Sequence, residues 1–299
     1  MSTRAVASSA PAGPAPELVL SPSREAWRVF RKNKAAMLGL VLLVAVILTM
    51  ALGPTLYPVP PFDIVGRPFT GPFETAALPL GSDYLGRDIL AGMVVGGRAT
   101  VAVGLAAAAI TVTIGLMVGA LAGYYGGWVD EVLSRFTEIF QVMPSLLFAM
   151  VLMTLFEPSL FTAVMAIGMV TWTSTARLAR AEFMRLRKLE YVNAARALGA
   201  SHLRLMVREI LPNAAPPLIV SATLIIGVAI LFEAGLSFLG LSDPNVMSWG
   251  LMIGSNRKYV LDAWWAVTFP GFAIFLTVLA VSLVGDGLND ALNPKLHQR

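Results

Sequence analysis

Residues 190–213 read EYVNAARALGASHLRLMVREILPN and form the longest polar-patterned stretch among segments that are otherwise apolar. A short helix is predicted here because residues at i, i+3, i+4 and i+7 share one narrow face: Tyr191, Ala194, Ala195 and Leu198. Gly199 is placed to end this helix, since glycine adopts a left-handed backbone without steric cost. Roughly nine helical residues rise only about 14 Å, against a hydrocarbon core of about 30 Å. We therefore expect this element to lie on the membrane surface.

A second helix is predicted after Gly199, with Ser201 as its N-cap. Its apolar face is expected to consist of Leu203, Met206, Val207 and Ile210. Pro212 is expected to end the unit, because proline interrupts the hydrogen bonds of a helix. On this pattern alone, an amphipathic helix-turn-helix in a cytoplasmic loop without a partner is an equally good interpretation.

The composition indicates an integral membrane protein. Of the 299 residues, 57% are hydrophobic and 13% are charged, whereas a soluble domain carries about 25% charged residues. The absence of cysteine excludes disulfides, thiol nucleophiles and thiolate metal sites. His202 and His297 lie in separate polar segments and are not expected to form a metal cluster. We interpret the net charge of +4 as a determinant of orientation in the lipid bilayer, and expect no nucleic-acid partner.

Charge-poor apolar runs predict an all-α integral membrane protein with six transmembrane helices. The predicted spans cover residues 35–57, 99–123, 139–156, 159–176, 214–239 and 263–285. Pro144 is expected to kink the third helix, and Glu157 with Pro158 to form the turn before the fourth. The predicted organisation, in chain order, is a disordered arm (1–23), a basic interfacial segment (24–34), a first helix with an extracytoplasmic loop (35–98), a transmembrane core (99–293) and a tail (294–299).

The distribution of lysine and arginine predicts the orientation, because basic loops remain in the cytoplasm. Six such residues precede the first span and eight lie between the fourth and fifth spans. The loop at 58–98 has three, against four acidic residues. Both termini and residues 190–213 are therefore predicted to be cytoplasmic.

Further local signals concern packing and pairing. Gly115, Gly119 and Gly123 recur every four residues, which predicts a close helix–helix contact. Arg135 and Glu138 are spaced to form an ion pair on one helix. In the outer loop, Asp83 and Asp88 are placed where they can cap helix starts.

Several stretches resemble the permease subunits of ABC importers of the dipeptide and oligopeptide type. EYVNAARALGAS, followed by LPN, resembles the coupling loop, which in that family docks into a cleft on a separate ATPase subunit. WRVFRKNKAAMLGL, LGSDYLGRD, LSFLGLSDPNVMSWG and VGDGLNDALNPK carry the same resemblance across residues 26–295. The sequence departs from the family pattern at six positions: Ser82, Glu138, Lys188, Glu209, Asn289 and Asn293.

The resemblance implies a cytoplasmic coupling helix-turn-helix between the fourth and fifth spans. The implied ATPase-coupling interface comprises Glu190, Tyr191, Ala194, Ala195, Leu198, Gly199 and Ala200. The implied partners are a second homologous permease subunit, two ABC ATPase subunits and an extracytoplasmic substrate-binding protein, all at a bacterial plasma (inner) membrane.

No cofactor and no enzymatic activity are expected in this chain. It contains no GxxxxGK[ST] sequence, and no lysine follows a glycine. ATP and magnesium are therefore assigned to the partner ATPase subunits. Zinc-hydrolase HExxH and a GxSxG motif with a triad are also missing, so an intramembrane hydrolase has no support.

Glu233 is the one carboxylate well inside a predicted span, and Arg98 lies at a similar depth near the outer surface. We predict that the two residues pair and help to close an outer gate.

The predicted cargo is a di- or oligopeptide; nickel, glutathione or another small solute is the alternative. A secondary transporter would need inverted repeats and midplane ion ligands. A non-transporting membrane scaffold is a further alternative, and its only support is the lack of catalytic motifs.

Overall fold

The computed structural model describes residues 22–292, with side chains from Glu25 onward. The predicted tail, and the predicted arm up to residue 21, lie outside the described residues. Within the described range the chain is helical and forms no strand, apart from two isolated β-bridges in the loop between residues 57 and 88. The elements are α1 (Pro22–Lys32), α2 (Lys34–Leu56), α3 (Ile89–Tyr125), α4 (Gly127–Val142), α5 (Ser145–Leu155), α6 (Leu160–Leu186), α7 (Glu190–Ala197), α8 (His202–Arg204), a π-helical segment (Leu205–Ile210), α9 (Leu211–Phe238), α10 (Trp249–Asn256), a 3-10 turn (Arg257–Tyr259) and α11 (Trp265–Leu292).

Four helices of the described residues are long and apolar enough to cross a membrane. They are α2, α3, the continuous run His202–Phe238, and α11. The pair α4 and α5 adds a fifth span if it is counted as one. The all-helical membrane architecture is therefore confirmed with four or five spans, and a count of six stays a prediction.

The third predicted span is not one continuous helix. The chain bends by 85° between α4 and α5, where Met143 and Pro144 have extended backbone. Proline lacks an N–H and its ring clashes with the preceding turn, so it breaks the helix. The predicted kink at Pro144 is confirmed, and the predicted single helix over 139–156 is wrong.

The glycines of α3 allow it to approach α6 closely. A Cβ atom added at Gly115 would lie 2.5 Å from Thr175 Cβ, and one added at Gly123 would lie 2.5 Å from the Arg180 carbonyl oxygen. Any side chain at these positions would force the two helices apart. The predicted small-residue contact is therefore confirmed.

Pro212 does not end a helix, contrary to the sequence prediction. The helix runs from His202 to Phe238, with the π-helical segment joining α8 to α9. The Leu211 N–H donates five residues back, to the Met206 carbonyl. Pro212 follows this wider turn directly as the second residue of α9, so its missing N–H falls where the regular α-helical hydrogen-bond pattern is already interrupted.

The two ends of the described chain lie close together. Asn33 Oδ1 accepts from the N–H groups of Ala35 and Ala36 and so caps α2. Asn33 Nδ2 donates to Asp290 Oδ2 on α11 at 2.9 Å. The basic N-terminal helix α1 and the end of α11 thus lie on the same side of the helix bundle.

Candidate functional site

Helix α7 ends in a Schellman motif at Gly199. The Gly199 N–H donates to the Arg196 carbonyl at 3.0 Å, and the Ala200 N–H donates to the Ala195 carbonyl at 3.1 Å. Gly199 has a φ of +84°, a left-handed conformation that glycine adopts without strain. Ser201 Oγ then accepts from the Arg204 N–H and caps the next turn. The predicted stop and the predicted cap are both found.

The two faces of α7 differ in exposure. Val192 is fully buried beneath the helix, in a cluster with Leu205 and Ile210. Leu198 is 90% exposed and Tyr191 is 39% exposed. Glu190, Ala194 and Gly199 are exposed as well, whereas Ala195 and Ala200 are half-buried against the cluster. Five of the seven predicted interface residues are therefore exposed, and the two half-buried alanines pack against the buried cluster.

The surface around Gly199 is open. No heavy atom of the described residues lies within 4 Å of a Cβ atom built on Gly199. Leu198 projects beside it, and Leu203 and Val207 are 72% and 50% exposed on the following helix. Leu198 and Leu203 are therefore large apolar side chains that the described residues leave mostly uncovered.

The predicted apolar face of Leu203, Met206, Val207 and Ile210 is found only in part: Met206 and Val207 line one apolar cavity against α3, whereas Ile210 is fully buried and Leu203 is exposed. The π-helical segment places Leu205 and Ile210, five residues apart, on the buried side. A period of 3.6 residues cannot represent that turn. The sequence signal that was missed is therefore the five-residue spacing of Leu205 and Ile210, which are both buried in the structure.

Arg98 and Glu233 form no ion pair in the structure. Arg98 donates from Nε to the Met50 carbonyl at 2.7 Å and from Nη2 to the Ala51 carbonyl at 3.1 Å. Glu233 is buried and accepts hydrogen bonds from Ser237 and Ser248. The predicted direct contact is absent from this conformation, and a gating role for either residue stays a prediction.

A buried polar cluster fixes α10 against α3 and α9. Ser248 Oγ donates to Glu233 Oε1 at 2.8 Å and accepts from the Leu251 N–H, which makes it the N-cap of α10. The Trp249 N–H donates to Thr100 Oγ1 at 3.1 Å. Glu233 Oε2 has no hydrogen-bond partner among the described residues. This cluster was not predicted, because its members lie up to 149 residues apart.

The loop between α2 and α3 is ordered by two aspartates. Asp88 Oδ1 accepts from the N–H groups of Leu90 and Ala91 and caps α3, as predicted. Asp83 was predicted to cap a helix and instead accepts from the N–H groups of Leu85 and Arg87 within a turn. Burial raises the pKa of the Asp83 carboxyl above its ordinary value of 3.8, although those N–H groups act in the opposite direction.

Two ion pairs lie on α4. Arg135 and Glu138 are 3.1 Å apart, as predicted, and both are well exposed, so this pair contributes little to stability. Arg180 of α6 forms a bidentate ion pair with Asp130, in which Nε donates to Oδ1 and Nη2 donates to Oδ2 at 2.7 Å. This second pair was missed, and it ties α4 to α6. Within residues 22–292, no three acidic or histidine side chains converge to hold a metal ion.

Sequence comparisons extend the picture. Residues 115–298 match the family of binding-protein-dependent transport system inner membrane components, and residues 21–72 match the N-terminal TM domain of oligopeptide transport permease C. The chain is 39% identical over 288 residues to a di/tripeptide transport system permease protein of Pseudomonas aeruginosa, covering 94% of this chain and 95% of that protein. It is 36% identical over 285 residues to an oligopeptide transport system permease protein of Bacillus subtilis, covering 93% and 92%.

Solved structures support the same fold. A chain of the MetNI methionine ABC transporter in an inward-facing conformation matches with a TM-score of 0.55 at 19% identity, over 68% of this chain and 96% of that one. A chain of an amino acid ABC transporter matches with a TM-score of 0.52 at 17% identity, over 66% and 92%. With a family match over more than half of its length and relatives above 30% identity along nearly all of it, the chain belongs to the binding-protein-dependent transport system inner membrane component family and is a multi-pass protein of the bacterial inner membrane.

Proposed function

We propose that this chain is a permease subunit of an ABC importer for di- or oligopeptides. The relatives that carry the sequence match are named for di/tripeptide, dipeptide and oligopeptide transport, which supports a peptide cargo. The proposed assembly contains a second homologous permease subunit, two ATPase subunits and an extracytoplasmic substrate-binding protein. ATP and magnesium are assigned to the ATPase subunits, and this chain contributes conformational change without catalysis.

The proposed topology has six spans with both termini in the cytoplasm. Helix α6 supplies the additional span: its 27 residues rise about 40 Å, and residues 160–176 carry no charge. The bent pair α4 and α5 is then the third span. The contact between Asn33 and Asp290 supports two ends on one side, which an even number of spans requires.

The observation that carries the coupling role is the surface formed by α7. This eight-residue helix stands on a buried cluster and presents an exposed face that ends at Gly199 with open space beside it. In the proposed mechanism, ATP binding closes the ATPase pair and displaces α7. The transmembrane helices then exchange an inward-open arrangement for an outward-open one, because the ATPase contacts differ between the two states.

Two substitutions at Gly199 test this role. Gly199→Val places a β-branched residue in the left-handed conformation at a cost of about 1–2 kcal/mol, whereas Gly199→Asn tolerates that conformation. We expect the valine variant to lose ATPase association and ATP-driven uptake by about tenfold or more, and the asparagine variant to retain most of both. Normal ATPase association and normal uptake in Gly199→Val would show that residues 190–213 do not couple the permease to the ATPase.

The cargo is tested separately. Membrane vesicles that contain all partner chains should take up di- or oligopeptides only when ATP is present inside and the binding protein outside. Uptake that is independent of ATP would instead indicate a secondary transporter. Uptake of nickel or glutathione with no peptide uptake would overturn the peptide assignment while leaving the importer architecture intact.

A further inference from the structure

A basic pocket lies where α3 ends and the chain enters α7. Its volume is about 590 Å³. It is lined by Tyr124, Tyr125, Arg187, Lys188, Asn193, Arg196 and His202. These residues come from the end of a transmembrane helix, the link from α6 to α7, α7 itself and α8, so the pocket is built from four elements.

The pocket is cationic, and Asp130, a carboxylate near enough to Arg187 to interact with its charge, lies outside the pocket lining and is paired with Arg180. Arg187, Lys188 and Arg196 are three cations around one cavity, and none of its lining residues, all within the described range, is acidic. None of these cations belongs to the ion pairs formed among the described residues. Three like charges held together repel one another, so an anion in the cavity would be bound favourably.

Arg187 is held in position before any ligand arrives. Its Nη1 donates to the Tyr124 carbonyl oxygen at 2.8 Å. Gly126 makes room for the guanidinium, because a Cβ atom there would lie 2.7 Å from Arg187 Nη1. The remaining guanidinium N–H groups are then presented in a fixed orientation, which suits the oxygens of a phosphate group.

Hydrogen bonds also hold the other residues that line the pocket in place. The Tyr124 hydroxyl and His202 Nδ1 are hydrogen-bonded at 2.8 Å, and their rings meet edge to face. Arg196 Nη1 donates to Asn193 Oδ1, and Asn193 Nδ2 donates to the Lys188 carbonyl. The polar groups around the cavity are thus linked to one another as well as to the end of α3.

Aromatic side chains beside the pocket indicate that it lies at the level of the membrane interface. Tyr125 is the last residue of α3, and half of its surface is exposed. Trp128 follows in the first turn of α4 and is 76% exposed. Tyrosine and tryptophan side chains at the end of a membrane span prefer the headgroup region of the bilayer. An acyl chain can therefore remain in the bilayer while its headgroup reaches the cations.

We propose that the basic pocket binds the phosphate group of an anionic phospholipid from the cytoplasmic leaflet. The cytoplasmic position rests on the proposed function, which places residues 190–213 on that side. Cationic pockets between transmembrane helices on this side of a membrane suit anionic headgroups. The competing occupant is a carboxylate of the ATPase subunit, which would need neither the large cavity nor the adjoining aromatic side chains.

The test compares two double variants of the full-length chain in lipid nanodiscs. Lys188→Gln with Arg196→Gln removes two exposed cations from the pocket. Arg204→Gln with Arg208→Gln removes two exposed cations from the neighbouring helix, outside the pocket, and is the matched control. Phosphatidylglycerol in a phosphatidylethanolamine background is the probe, and native mass spectrometry counts the lipids retained. Phosphatidylethanolamine discs with inorganic phosphate form a separate arm.

We expect the pocket variant to lose about thirtyfold in apparent affinity for phosphatidylglycerol, and the control to lose less than about threefold. Equal losses in the two variants, or no loss in either, would overturn the proposal. Retention of inorganic phosphate with the same dependence on Lys188 and Arg196 would replace the lipid by a free anion. A pocket variant that keeps its lipid and loses only ATPase association would assign the pocket to that partner. Lipid retention is measured without the ATPase. The lipid result can therefore be interpreted even if the proposed transport function is wrong.

Discussion

Arg98 Nε donates at 2.7 Å to the carbonyl oxygen of Met50, which lies four residues before Pro54. In an uninterrupted helix that carbonyl would accept from the N–H of residue 54, and proline has none. Arg98 supplies the missing donor from the neighbouring helix. The position of this cation in the N-terminal part of α3 is therefore explained by an unpaired backbone carbonyl in α2 and not by a carboxylate partner.

The pairing of Arg98 with Pro54 predicts a non-additive effect on stability. Arg98→Ala should lower the free energy of unfolding by about 1–3 kcal/mol, because it leaves the Met50 carbonyl without a donor. In a Pro54→Ala background the helix provides its own N–H, and the same substitution should cost measurably less. Thermal unfolding of the four proteins in detergent gives the coupling energy. Strictly additive losses would show that the two residues are independent.

Charge exchange tests the predicted gate. Arg98→Glu and Glu233→Arg should each reduce uptake, and the double variant should not recover it, because each residue has other partners in the structure. Uptake assays in vesicles with the partner chains provide the measurement. Recovery in the double variant would mean that the two residues pair in a conformation other than this one.

Asp83 predicts a pH-dependent difference between the wild type and Asp83→Asn. A carboxyl whose pKa is raised by folding costs stability while it is ionised, and that cost disappears as the pH falls through the raised pKa. Asparagine keeps an oxygen for the N–H groups of Leu85 and Arg87 and carries no charge. Asp83→Asn should therefore be the more stable protein at neutral pH, with the difference shrinking as the pH is lowered. A difference that grows on acidification would contradict this assignment.

Asp83→Ala is the companion variant for that experiment. It removes the charge and also leaves two backbone N–H groups without an acceptor, so it should be about 1–3 kcal/mol less stable than Asp83→Asn. Unfolding midpoints across the same pH series separate the two effects. Equal stabilities of the alanine and asparagine variants would show that the hydrogen bonds of the turn contribute nothing.

Local signals in the sequence predicted the features that depend on local geometry. The glycine stop at Gly199, the cap at Ser201 and the glycine row on α3 each follow from residues within a few positions of one another. The break at Pro144 belongs to the same class, since proline acts on its own turn. The family match also follows from local motifs, because long segments of the chain are similar to its relatives.

Features that depend on distant contacts were predicted poorly. Arg98 and Glu233 lie at similar depth, but depth alone does not reveal that backbone carbonyls and hydroxyl groups lie closer to each. The cluster around α10 joins Thr100 to Trp249 across most of the chain. The π-helical segment Leu205–Ile210 also escaped prediction, because its hydrogen bonds change the helical period within a run that otherwise looks regular.

That π-helical segment makes His202–Phe238 a single helix of 37 residues. It begins beside α7 and is about 55 Å long if the rise is uniform. Glu233 lies near its far end, five residues before Phe238. A tilt of the whole helix by about 5° about its α7 end would move the opposite end by about 5 Å. Leu205 and Ile210, which pack beneath α7, belong to this helix. Helix α7 is therefore connected to Glu233 and α10 through one continuous helix, whose hydrogen bonds are interrupted at Pro216 and Pro217.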